Sequence, residues 1–146
     1  MFKNILVPLD GSPLSARAVK RAVALAKEQK ARVTGYHVGP EWSPRSYSEV
    51  WAGNFTQEQH SEMVRKLASK HFTALEQAAH AAGVDCKCLY TEGAYPYEKI
   101  VLAARKHHCD LIVMASHGRR GVSRLLLGSE TGKVLALSKV PVMVCR

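Results

Sequence analysis

Short apolar runs alternate along this chain with longer segments of helical period, and that alternation restricts its fold more than any other feature. Asn4 to Leu9 carries Ile5, Leu6 and Val7 and is followed by the turn Asp10-Gly11-Ser12-Pro13. It reads as strand then turn. Ser12 is a good N-cap with Pro13 at the first helical position, and the helix continues to about Lys30. Its Leu14, Ala18, Ala22, Leu25 and Ala26 fall on one stripe, and Arg17, Lys20, Arg21 and Lys27 are available for the other face. A second strand spans Arg32 to Val38. A helix capped by Thr56 runs to about Ala82, with Met63, Leu67, Phe72 and Leu75 near 3.6-residue spacing and Gly83 at its end. Strand Asp85 to Thr91, a helix opened by Pro96 and reaching about His108, strand Leu111 to Ala115, a helix from about Glu130 to Leu137 and strand Val140 to Cys145 complete the pattern. Apolar strands joined by helical crossovers predict a parallel sheet covered on both faces. The expected fold is therefore α/β: a single doubly wound five-stranded parallel sheet, with residues 1–146 as one domain.

The 146 residues are enough to bury about 68–70% of the unfolded surface, so neither disulfides nor a metal is needed for stability. With 47% apolar and 23% charged residues the chain is neither disordered nor fibrous. Its longest apolar runs, such as Leu111 to Ala115, fall far short of the roughly 20 residues of a membrane span. The N-terminal apolar run is five residues long and lacks a small-residue cleavage site, so the expected location is the cytoplasm. Cys86, Cys88, Cys109 and Cys145 show no C-x-x-C spacing and read as reduced thiols; Cys109 and Cys145 adjoin or lie in apolar strands. His107 and His108 are adjacent, so on a helix they diverge by about 100° and do not chelate. Gly39 to Asn54 holds Pro40, Pro44, Gly53, Trp42 and Trp51 without period. It reads as a loop, its tryptophans as packing plugs or, alternatively, as part of a functional lid.

In a doubly wound sheet ligands bind beyond the carboxyl ends of the strands, near the point where strand order reverses. Asp10-Gly11-Ser12 follows the first strand, Gly39-Pro40 the second, and Ser116-His117-Gly118-Arg119-Arg120-Gly121 the fourth. Glycines allow backbone N–H groups to approach an anion, and Gly128-Ser129 precedes a helix whose N-terminus favours phosphate. Of the formal net charge of +9, residues 116–146 contribute +5. Neither G-x-x-x-x-G-K-[ST] nor G-x-G-x-x-G occurs.

Ala115-Ser116-His117-Gly118, nine further residues and Gly128-Ser129 resemble the G-x-x-G, nine-residue, G-[ST] motif of the ATP-binding universal stress proteins. The flanking Ile5-Leu6-Val7-Pro8-Leu9-Asp10-Gly11-Ser12, Asp110-Leu111-Ile112-Val113-Met114, Leu125-Leu126-Leu127 and Val140-Pro141-Val142-Met143-Val144 extend the resemblance over almost the whole chain; it is weakest from Trp42 to Asn54. The resemblance implies a Rossmann-like, cytoplasmic, stress-responsive homodimer that binds ATP with Mg2+ or Mn2+. Pro8, Leu9 and Asp10 would lie at the nucleoside end and Val38 in the base pocket. Met114 and Ala115 would face ribose and phosphates, His117, Gly118 and Arg119 would form the phosphate loop, and Gly128, Ser129 and the Glu130 backbone would hold the phosphate chain with its ion. Ala115 replaces the motif's first glycine, which places a Cβ where the family has none.

On residue type alone, Asp10 also reads as a helix cap, His117 as a hydrogen-bonding turn residue, and Arg119, Arg120 and Arg124 as a solvated face. The expected function is a nucleotide-dependent sensor or switch. The alternatives are a slow ATP hydrolase or phosphoryl-transfer enzyme, for which no catalytic signature follows the first strand, and a stress protein working through protein partners without nucleotide. The basic balance also raises nucleic acid, but aromatic stacking clusters and a helix-turn-helix pattern are both missing. The terminal strand Val140 to Cys145 offers an apolar edge for pairing with a second copy.

Overall fold

The computed structural model describes residues 1–44, 55–118 and 127–146. In chain order these form β1 (Asn4–Pro8), α1 (Pro13–Gln29), β2 (Arg32–Gly39), α2 (Gln57–Ala82), β3 (Cys86–Glu92), α3 (Pro96–Lys106), β4 (Leu111–Ala115), α4 (Ser129–Leu137) and β5 (Val142–Cys145). The strands make one parallel sheet in the order β3-β2-β1-β4-β5. This is the doubly wound arrangement expected from the alternation, with its reversal between β1 and β4.

Period-2 alternation along the strands builds two cores. Ile5, Val7, Val33, Leu111 and Val113 point to one face and pack against α1 and α2 residues including Ala18, Ala22, Phe72 and Leu75. Leu6, Tyr36, Ile112 and Met114 point to the other face, against Ile100, Ala103 and Ala104 of α3 and Val134 of α4. Each fully buried Leu or Ile contributes about 1.5–3 kcal/mol, so both layers hold the sheet.

Local signals place the helix ends. Ser12 Oγ accepts the Ser15 N–H at 3.1 Å, while Thr56 and Gln59 form a reciprocal capping box. The expected boundaries shift by a residue or two at several ends, β1, β2 and β3 among them. α3 stops at Lys106 because His108 turns left-handed (φ 52°). α4 begins at Ser129, and β5 begins at Val142 because Pro141 has no N–H to donate, though its carbonyl accepts from Ile112 at 3.0 Å.

At the amino ends of the strands a buried polar clamp closes the sheet. Asp110 accepts the N–H groups of Lys3 (2.7 Å) and Asn4 (3.1 Å), and buried Asn4 donates to His107 O and accepts from Thr34 Oγ1. β1 pairs with β2 through Pro8, and Leu9 N–H extends the ladder to Tyr36 O at 2.8 Å, while the β1–β4 register covers Ile5↔Leu111 and Leu6↔Ile112. The strand order reverses between β1 and β4, so the ligand crevice of this topology lies beyond their carboxyl ends. Among the described residues no helix is long and apolar enough to cross a membrane.

Candidate functional site

The crevice is floored by the loop after β1. Asp10 Oδ1 accepts the Ser12 N–H at 2.9 Å, so the carboxylate caps its own turn and holds its second oxygen toward the loop after β4. A Cβ built on Gly118 would lie 2.8 Å from Asp10 Oδ2, which places the Gly118 backbone directly against that oxygen. Asp10 thus closes the turn before α1, whose N-cap is Ser12, and faces Gly118 across the crevice.

The loop after β4 is tied to the start of α4. Gly128 N–H donates to Ser116 O at 2.8 Å, Ser116 N–H donates to Cys145 O at 2.8 Å, and Thr131 Oγ1 donates to Ala115 O at 2.9 Å. A Cβ on Gly128 would stand 3.0 Å from Ser116 O and 3.2 Å from His117 Cα, so the two chain segments touch backbone to backbone there. Ser116 Oγ and His117 Nδ1 are 3.0 Å apart, while His117 Nε2 is buried with no hydrogen-bond partner among the described residues. Such an orphaned nitrogen is costly unless a ligand or water meets it.

α4 starts at the crevice without a side-chain cap on its first turn. Its free N–H groups and its dipole therefore remain available to an anion. Glu130, the one acid of that turn, does not occupy the position: its Oε2 accepts the Tyr97 N–H at 2.8 Å at the start of α3, and Lys133 lies 3.7 Å from Oε1. The carboxylate is spent between helices, which leaves only the Glu130 backbone for the role that the sequence assigns it.

Other expected residues occupy different depths. Val38 is half-buried on the α3–α4 side of the sheet and Met114 is buried there. Ala115 ends β4 without positive φ, so its methyl imposes no backbone strain. Pro8 is half-buried at the crevice edge. Leu9 presents little to a ligand, because its side chain is in the α1–α2 core and both its backbone polar groups are bonded, the carbonyl to His37 Nδ1 at 2.8 Å. Arg119 falls outside the described residues, as do Arg120, Arg124, Trp51 and the loop from residue 45 to 54.

Sequence reasoning missed the supports. Gly11 adopts φ +77° and packs under His71, whose Nε2 would lie 2.5 Å from a Cβ there, so this glycine yields space to an imidazole rather than to an anion. His71 Nδ1 faces His37 Nδ1 at 3.3 Å, and His37 in turn donates to Leu9 O. A carbonyl only accepts, so the proton sits on His37 Nδ1. Fully buried His60 lies 2.9 Å from Pro40 O and 3.4 Å from Glu92 Oε2, under Trp42 at 5.5 Å between centroids. Trp42, which also contacts Phe55, is the packing plug expected of it. Among the described residues no group of three or more His, Cys, Asp or Glu side chains is placed to hold a metal ion.

Residues 1–146 match the family described as the universal stress protein family. The chain belongs to that family. It is 35% identical to the universal stress protein YxiE of Bacillus subtilis, with all of both chains covered. The solved structure of MJ0577 from Methanocaldococcus jannaschii superposes with a TM-score of 0.76 at 30% identity, covering 99% of this chain and 96% of that one. A universal stress protein from Archaeoglobus fulgidus, solved in complex with dAMP, shares the fold with a TM-score of 0.67 at 18% identity and coverage of 100% and 98%. Within this universal stress protein fold, Asp10 faces Gly118 and Gly128 abuts Ser116 and His117 at the strand reversal.

Proposed function

We propose that this universal stress protein binds an adenine nucleotide, ATP with Mg2+ or Mn2+, in the β1–β4 crevice. It then acts as a cytoplasmic, homodimeric switch whose surface depends on nucleotide occupancy. The observation that carries the reading is the convergence, at one strand reversal, of an uncapped helix N-terminus, two close backbone passages at Gly118 and Gly128, and the orphaned His117 Nε2. Phosphate oxygens supply the acceptors that this set of donors lacks. The dAMP complex of the Archaeoglobus relative supports a nucleotide as the ligand class.

In this arrangement the N–H groups of Gly118, Ser129 and Glu130 hold the phosphates, with Arg119 adding charge. Asp10 accepts from the ribose hydroxyls, His117 Nε2 meets the phosphate end, and Val38, Met114 and Pro8 give the base and sugar an apolar wall. Leu9 shapes this floor from below. A divalent ion would neutralise the phosphates, with the Ser129 hydroxyl as the nearest protein donor on the motif. Asp10 spends one oxygen on its own turn, which favours a binding role over the positioning of water for hydrolysis.

Calorimetric titration with Mg-ATP tests this. The wild type is expected to saturate in the micromolar range, a binding free energy on the order of −8 kcal/mol. Gly128→Glu, which drives a carboxylate into the Ser116–His117 backbone, is expected to bind at least tenfold more weakly while retaining its far-UV dichroism. No heat from the wild type at millimolar nucleotide overturns the proposal, and equal binding by Gly128→Glu moves the phosphate site elsewhere.

A further inference from the structure

At the opposite edge of the sheet from β5, Cys86 and Cys88 occupy alternate positions on β3 and point to the same face, toward α2. Their sulfurs are 4.0 Å apart and both residues are half-buried. Room for the second sulfur exists because its partner across the ladder is Gly35, where a Cβ would come within 3.1 Å of Cys88 Sγ. Glu76 of α2 lies on the side of the pair that faces the helix. The other two thiols are unlike these: Cys109 and Cys145 are buried, at 4% and 8% exposure.

We propose that Cys86 and Cys88 form a two-thiolate chelate for a soft monovalent cation, with Cu(I) as the ion that fits. Thiolates select Cu(I) among the available metals, and two sulfurs suffice for an ion that accepts low coordination. Metal–sulfur bonds of about 2.3 Å put two thiolates ~3.8 Å apart at a tetrahedral angle and ~4.6 Å apart when linear. The observed 4.0 Å lies between those limits, so the pair closes on an ion by small side-chain rotations. A harder divalent ion would need more ligands, and among the described residues no third His, Cys, Asp or Glu completes such a set.

Oxidation is the competing fate of two neighbouring thiols, and the strand opposes it. Residues i and i+2 of a strand have Cα atoms about 6.6–6.8 Å apart. That is the outer limit for a disulfide, whose Cα separation is usually 4.4–6.8 Å. A disulfide here sits at that limit, so closing one strains the strand.

The test is an anaerobic titration of the reduced full-length protein with Cu(I) against bicinchoninate, a coloured competing chelator. The wild type is expected to withdraw one Cu(I) per chain. Cys86→Ser and Cys88→Ser are each expected to lose affinity by about 100-fold, with Cys109→Ala unchanged. X-ray absorption at the copper edge is expected to show two sulfur neighbours. A wild type that withdraws no Cu(I), serine variants that bind like the wild type, or a copper edge with nitrogen neighbours would each overturn the assignment. Nucleotide is absent from every arm, so the outcome is independent of the crevice reading.

Discussion

At Gly11 a left-handed backbone and a facing imidazole coincide, and any side chain meets both penalties. Gly11→Ala is expected to cost about 1–3 kcal/mol in urea unfolding, since φ +77° strains an alanine and its methyl drives into His71. Gly118→Ala behaves differently, because the atom 2.8 Å away belongs to the Asp10 side chain and not to backbone. Stability is expected to stay within about 1 kcal/mol of the wild type while Mg-ATP affinity falls about tenfold, measured by calorimetry beside thermal unfolding. The buried thiol of Cys109 predicts a pH effect. Burial raises it from 9.0 to about 11, so above pH 9 the unfolded chain releases this proton more readily than the folded one. Stability is expected to fall as pH rises from 9 toward 11, and Cys109→Ala should flatten that slope in urea midpoints. An unchanged slope would place the alkaline sensitivity in another group.

The elements themselves were legible because each depends on neighbours close in sequence. Ser12-Pro13, Thr56 with Gln59, and Gly83 mark helix ends by local hydrogen bonding, and the apolar runs mark strands by alternation. Strand order was legible only as the general rule for crossover sheets; that β3 rather than β2 forms the outer edge comes from the pairing itself. In the crevice, Gly118 and Gly128 are named from motif spacing and Asp10 from its place after the first strand. His37 and His71 are not. Their roles arise where α2 packs on β2 beside the turn after β1, a contact between segments far apart in the chain that no local pattern marks. Glu130 shows the same limit: no local pattern marks that packing of α3 on α4 engages its carboxylate.

Over the whole molecule the two sheet edges differ in chemistry. β5 ends the sheet with Met143 40% exposed and Val142 half-buried, an apolar edge suited to a second copy of the chain. Met143→Lys is expected to convert the proposed dimer to a monomer by sizing while leaving the far-UV dichroism unchanged; a variant that stays dimeric would move the interface away from β5. The polar clamp of Asn4 and Asp110 holds the amino ends of the strands together, and the strand order reverses between β1 and β4 at the crevice. Nucleotide binding at that reversal is the central claim, and amide chemical shifts read it residue by residue. On titrating 15N-labelled protein with Mg-ATP, the largest shifts are expected at Asp10 to Ser12, Ser116 to Gly118 and Ser129 to Thr131, saturating together with one dissociation constant. Saturable shifts clustered elsewhere, or none at millimolar nucleotide, would contradict it.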